Sequence, residues 1–146
     1  MSFYKLLYHI VISTKYRKPV IAENVERDVY KLIYGQLQKY KCMVHRIGGM
    51  PDHIHILTEI PPTVALSELM KILKQETSKD IKKFLPDWEG WSEGYGAFSY
   101  SHKELPSVKN YIMNQKTHHA VTPFIDEYKQ WLMEMGIEPD SPYFPK

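Results

Sequence analysis

The run Pro51-Asp52-His53-Ile54-His55-Ile56-Leu57 constrains this chain more than any other segment. Its apolar residues read as a buried strand. Side chains in a strand alternate between faces, so Ile54 and Ile56 point to one side while His53 and His55 share the other. A fold that contains this segment must bury an aliphatic face and also find a use for two neighbouring imidazoles. Their separation along the strand is roughly 6.6 Å. That lets both rings converge on one divalent cation at about 2.0–2.2 Å from each nitrogen. Two half-buried histidines hydrogen-bonded to their neighbours would satisfy the same pattern.

A second segment bears on the choice. Ser107–His119 has no Gly and no internal Pro, and Pro106 stands just ahead of it, where a helix tolerates proline. Helical period aligns Val108, Tyr111, Gln115 and His119 on one stripe and makes Tyr111 and Gln115 neighbours at i and i+4. An inward stripe is normally aliphatic, so a glutamine in it asks for a partner. A metal ion is one candidate; a core tyrosine beside an edge glutamine is the other reading.

Four blocks then give the chain a family likeness: "YHIVISTKYRKPVI" at Tyr8–Ile21, "GGMPDHIHIL" at Gly48–Leu57, "GYGAFSYS" at Gly94–Ser101 and "YIMNQKTHH" at Tyr111–His119. In this order they resemble the HUH (His-hydrophobic-His) single-tyrosine transposases of the smallest bacterial insertion sequences, including relatives associated with repetitive extragenic palindromes. The resemblance implies that His53, His55 and Gln115 hold a divalent metal, Mg²⁺ or Mn²⁺, and that Tyr111 is the nucleophile. It further implies cleavage and rejoining of single-stranded DNA with hairpin ends through a 5′-phosphotyrosine, in a homodimer. No nucleotide cofactor is expected, and no Walker-type glycine loop is visible.

Length and composition are compatible with this. A chain of 146 residues predicts one domain, here taken as 1–146, large enough to bury its core without staples. A single cysteine, Cys42, excludes an internal disulfide and a cysteine-rich zinc site and makes the cytoplasm the default compartment. No targeting or membrane-spanning segment is visible. The net charge of +2 is modest for a nucleic-acid enzyme, so local clusters carry the electrostatic argument. Lys15, Tyr16, Arg17 and Lys18 form a basic tip after the first strand, suited to phosphates, with Tyr16 able to stack an unpaired base. Lys71, Lys74, Lys79, Lys82 and Lys83 lie on one helical stretch and are the alternative grip.

The periodicity predicts strands over Phe3–Thr14, Met43–Ile47, the histidine segment and Tyr95–Ser101. It predicts helices over Glu23–Tyr40, Ala65–Phe84, the tyrosine segment and Pro123–Met135, the last ended by Gly136. Gly48-Gly49 is expected to turn the chain into the histidine strand, and the tail with Pro139, Pro142 and Pro145 to be an extended arm. This order predicts an α+β, ferredoxin-like or RRM-like antiparallel sheet with helices on one face plus C-terminal helices carrying the tyrosine.

Other polar residues take lesser roles. Glu59 shares the face of the histidines but lies about 13 Å beyond His55, and is expected to be a solvated strand end. Asp52 can orient an imidazole or stabilise a turn. His9, His118 and His119 are read as structural or DNA-contacting rather than as ligands. Two other readings use the same chemistry, a domesticated palindrome-associated nuclease and a replication-initiator nickase, the latter usually with further domains. A non-catalytic ferredoxin-like single-strand binder would stack bases on Tyr8, Phe98 and Tyr100 and leave the histidine pair without a purpose.

Overall fold

The computed structural model describes residues 2–119, 124–134 and 136–137. The chain divides into two compact units, Met1–Met113 and Asn114–Lys146. The first contains β1 (Leu7–Ser13), α1 (Glu23–Lys39), β2 (Met43–Met50), β3 (His53–Glu59), α2 (Leu66–Phe84), β4 (Gly96–Tyr100) and α3 (Leu105–Met113). The sheet order is β2-β3-β1-β4, and every neighbouring pair is antiparallel. This is the α+β, ferredoxin-like arrangement that the sequence predicts.

The alternation in β3 decides which helix goes where. Ile54 and Ile56 join Ile10 and Ile12 of β1 on one face, and there they meet Val29, Ile33 and Leu37 of α1 and Leu69, Leu73 and Ile81 of α2. Those helical positions recur at four-residue spacings, one stripe per helix. Each such aliphatic, fully buried, contributes about 1.5–3 kcal/mol. The opposite face carries Leu7 and Leu57, and α3 closes it with Val108 and Ile112. The segment after α2 is pinned to that helix by its indoles: Trp88 Nε1 donates to Ser78 Oγ at 2.8 Å and Trp91 Nε1 to Thr77 Oγ1 at 3.0 Å.

Several sequence expectations need correction. Gly48 and Gly49 do not turn the chain; both lie inside β2, paired with His55 and Ile54. The reversal falls at Pro51-Asp52, where proline presets the φ that a turn needs. The tyrosine helix is not continuous. It ends at Met113, and after Asn114 a separate α4 (Gln115–His119) begins the second unit. An asparagine amide competes with helical backbone hydrogen bonds, which is why this residue stands at the break. Glu59 is not a solvated strand end: it is 14 % exposed, with His45 at 2.7 Å and Lys5 at 3.6 Å.

The second unit also holds α5 (Phe124–Glu134). Gly136 ends it as predicted, with φ +87° and its N–H donating to the Met133 carbonyl at 3.1 Å. Pro123, Met135 and the proline-containing tail fall outside the described residues. No helix among the described residues is long and apolar enough to cross a membrane.

Gly48 shows how closely α3 lies on the sheet. A Cβ there would come to 3.0 Å from Ile112 Cγ2 and 3.1 Å from the Ile112 carbonyl oxygen. Gly48→Ala is therefore expected to displace α3 and cost about 1–3 kcal/mol by overpacking. Gly35→Ala, in α1 with nothing within 4 Å of the added carbon, should instead stabilise by about 0.5–1 kcal/mol. Urea unfolding of both variants checks the pair; equal effects would mean that α3 does not rest on Gly48.

Candidate metal and nucleophile site

The antiparallel register of β1 and β3 sets Val11 opposite His55 and His9 opposite Leu57. Directly opposed residues share a face, so His9, His53 and His55 emerge together on the side that α3 covers. All three are buried. The His53 and His55 rings lie 5.0 Å apart between centroids and nearly perpendicular, as expected for a pair on one strand face.

Each imidazole of the pair is held through Nδ1. His53 Nδ1 donates to Asp52 Oδ1 at 2.8 Å. His55 Nδ1 lies 2.8 Å from His9 Nε2. With the proton of His55 on Nδ1, His9 is the acceptor, and in both His53 and His55 the lone pair then belongs to Nε2. This is the donor set and the supporting shell that a borderline divalent cation takes from histidine. The residues therefore fit a metal. Among the described residues no three His, Cys, Asp or Glu side chains are set to share one ion.

Burial and neighbouring charges also act on His9 and Asp52. Burial pushes the His9 pKa down to about 3, so its ring is neutral at physiological pH. Burial raises the Asp52 carboxyl, but the His53 hydrogen bond and the charges of His53 and Arg17 outweigh it and hold the group below the usual carboxylate value. Asp52 is thus an ionised acceptor for His53, and of the two roles open to it in sequence it takes the orienting one.

Tyr111 completes the cluster within the first unit. Its ring centroid lies 5.7 Å from that of His55, edge-to-face at 83°, and 6.3 Å from that of His9. Val108 and Ile112, on the buried side of α3, hold it there. Gln115 opens α4 in the second unit, and its side chain is buried at 1 % exposure. His118 and His119 close that helix, and their side chains fall outside the described residues.

His9 is the member that sequence reasoning undervalued. Its signal was present: an imidazole in the apolar run Tyr8–Ile12, in phase with Leu7 and Val11, needs a buried partner. Only the register identifies that partner as His55.

The basic tip has an unusual backbone. Lys15–Arg17 form a single 3-10 turn in which Tyr16 (φ 58°) and Arg17 (φ 53°) adopt left-handed conformations. Such residues cost roughly 1–2 kcal/mol each. The Thr14 N–H donates to the Asp52 carbonyl at 2.9 Å, and its hydroxyl donates to the Lys18 carbonyl at 2.8 Å. The strained turn is thereby tied to the residue that orients His53. Tyr16 is 74 % exposed, Lys15 sits 5.6 Å from its ring, and Lys18 pairs with Glu89 at 2.9 Å.

The lysine-rich helix is a poorer phosphate surface than the sequence suggests. Lys79 and Lys83 pair with Glu76 and Asp80. Lys74 donates to the Ser92 and Gly94 carbonyls, and Lys82 to those of Pro86 and Trp88. These cations hold the loop before β4 in place.

Comparison with known proteins supplies the family and supports the fold. The family model described as "Transposase IS200 like" matches residues 2–115. The transposase of insertion sequence element IS200 from Salmonella typhimurium is 29 % identical over 115 residues, which cover 74 % of this chain and 75 % of that protein. The ISDra2 transposase TnpA of Deinococcus radiodurans is 25 % identical over 119 residues, covering 77 % and 85 %. Among solved structures, a Deinococcus radiodurans R1 protein assigned as a transposase superposes with a TM-score of 0.63 at 25 % identity, covering 78 % of this chain and 93 % of the other. A REP-associated tyrosine transposase bound to a REP hairpin gives 0.64 at 11 % identity, covering 100 % and 98 %, a likeness of fold. The family match runs from the first strand through the tyrosine helix to Gln115, and the chain belongs to the family of IS200-like transposases.

Proposed function

We propose that this transposase cleaves and rejoins single-stranded DNA at hairpin-bearing ends, with Tyr111 as nucleophile and a divalent metal on His53, His55 and Gln115. The observation that carries the reading is the Tyr111 ring 5.7 Å from His55, on the same face as His53. Attack by the phenolic oxygen forms a bond to phosphorus and breaks the bond to the 3′ oxygen. The phenol proton goes to solvent, and the 3′ oxygen leaves as a hydroxyl after taking one up. The product is a 5′-phosphotyrosine, and a different 3′-hydroxyl reverses the step to join new ends. No nucleotide is needed, because the covalent link keeps the phosphodiester energy.

A phenol with a reference pKa of ~10 attacks poorly at neutral pH. A Mg²⁺ or Mn²⁺ ion bound to Nε2 of both histidines and to the Gln115 amide would supply the charge that polarises the phosphate oxygens. The chain's own residues do the rest. Asp52 and His9 set the tautomers of His53 and His55, and α3 holds Tyr111 beside them. The tip of Lys15, Tyr16, Arg17 and Lys18 binds the hairpin. Pairing of two copies through their sheets belongs to the same reading, and the sheet offers edge strands at β2 and β4. A non-catalytic base-stacking role fits less well: Phe98 and Tyr100 pack against His9, each at 6.4 Å between centroids.

Three outcomes follow. Tyr111→Phe removes only the attacking oxygen, so DNA binding should persist while the covalent adduct on a denaturing gel disappears. An adduct that survives would move the nucleophile to another tyrosine.

His53→Ala or His55→Ala should abolish divalent-dependent cleavage, whereas Ile54→Val, on the opposite face, should cost only about 0.5–1.5 kcal/mol of stability. His9→Leu should weaken Mn²⁺ binding roughly 10–100-fold by calorimetry. Cleavage that resists both chelation and the double alanine variant would make the histidines structural.

Lys15→Ala with Arg17→Ala should weaken hairpin binding and flatten its salt dependence by roughly 0.7–0.9 of a log unit per lost phosphate contact. Affinity measured at several salt concentrations tests this, and an unchanged slope would rule the tip out.

A further inference from the structure

A hollow of about 360 Å³ between α1 and the edge strand β2 gathers groups that the proposed reaction does not use. Arg27, Tyr30, Lys31 and Tyr34 stand at i, i+3, i+4 and i+7, one face of α1. They line the hollow together with His45 and Arg46 of β2. Arg27, Lys31 and Arg46 are exposed and enter no ion pair among the described residues. On α2, by contrast, Lys79 and Lys83 are neutralised by Glu76 and Asp80. Three cations left to solvent around one concavity make a phosphate site that the lysine-rich helix does not.

The aromatic groups add a second kind of contact. Tyr34 is 44 % exposed, and its hydroxyl accepts a hydrogen bond from Gln38 Nε2 at 2.9 Å, which steadies the ring. Tyr30 lies deeper and donates to Glu26 at 3.5 Å. The β2–β3 ladder also slips between Val44 and Arg46, inside the strand that lines the hollow. A bulge of this kind re-aims side chains, and bulges gather beside functional surfaces.

We propose that this cleft is a second DNA contact, which binds a short single-stranded stretch with its phosphates on Arg27, Lys31 and Arg46 and one base on Tyr34. That the ligand is DNA rests on the function proposed above; the cleft itself shares no residue with the histidine cluster or the tip. A duplex hides its base faces, whereas a single strand offers them to an aromatic ring beside a cationic groove. The two contacts sit apart. The tip adjoins Asp52 just before β3, while Val44 pairs with Thr58 near its end, about 20 Å further along the sheet.

Fluorescence anisotropy with two labelled probes tests the proposal: an oligothymidylate, which forms no hairpin, and a blunt hairpin without flanking single strand. The combined Arg27→Ala, Lys31→Ala and Arg46→Ala variant should bind the oligothymidylate at least about tenfold more weakly, with its salt slope reduced by roughly 0.7 per lost phosphate contact. Tyr34→Ala should weaken it roughly 5- to 150-fold, the worth of one stacked base, and Tyr34→Phe should restore binding. Hairpin affinity should stay at the wild-type value in all of them, and circular dichroism should be unchanged because every substituted residue is exposed. Oligothymidylate binding that ignores these changes, or an equal loss for both probes, overturns the cleft as a site. A wild-type protein that binds neither probe overturns the DNA reading itself.

Discussion

The antiparallel ladder between β1 and β3 is the interaction on which the rest of this molecule depends. It lies at the centre of the sheet, and its register decides what stands beside what on both faces. On one side it stacks Ile10 and Ile12 with Ile54 and Ile56 under α1 and α2. On the other it brings His9 to His55. A shift of one residue would send every side chain of β3 to the opposite face. The histidines would then enter the aliphatic core and the isoleucines would line the site. The burial of four isoleucines is thus also what orients the imidazoles.

Tyr111 depends on a different constraint, the distance between a helix and a sheet. Two leucines on the sheet and two aliphatics on α3 supply the contact, and a missing side chain at Gly48 permits it. The glycine serves close approach here rather than chain reversal. Its strand neighbour across the ladder is His55, so the residue that admits α3 sits directly beside the residue that Tyr111 faces. Packing and chemistry meet at one rung of the sheet.

Charge is distributed in a way that composition conceals. The net charge is only +2, and on α2 Lys79 and Lys83 pair with carboxylates while Lys74 and Lys82 donate to backbone carbonyls. Beside the cleft between α1 and β2, Arg27, Lys31 and Arg46 are exposed and enter no ion pair among the described residues. A surface that ties up most of one basic helix and leaves a smaller cluster open favours polyanion contact where geometry is also prepared.

Periodicity alone was enough to reveal the order of elements along the chain and the shared face of His53 and His55, because strand and helix geometry convert spacing into direction without reference to the rest of the fold. Local turn chemistry was less legible. Gly48-Gly49 read as a turn because glycine permits one, and only the tertiary structure reveals that Gly48 makes room for Ile112 and Gly49 for the backbone of His53 and Ile54. The continuous tyrosine helix failed at Asn114 for a similar reason, since period cannot say where a backbone will break. The role of His9 and the tethering of Lys74 were out of reach in principle. Both depend on partners distant in sequence: His55, 46 residues away, and the Ser92 and Gly94 carbonyls, 18 and 20 residues away on a loop that only tertiary packing carries back onto α2. A sequence shows which groups need a partner, and the fold alone decides which partner comes within hydrogen-bonding distance.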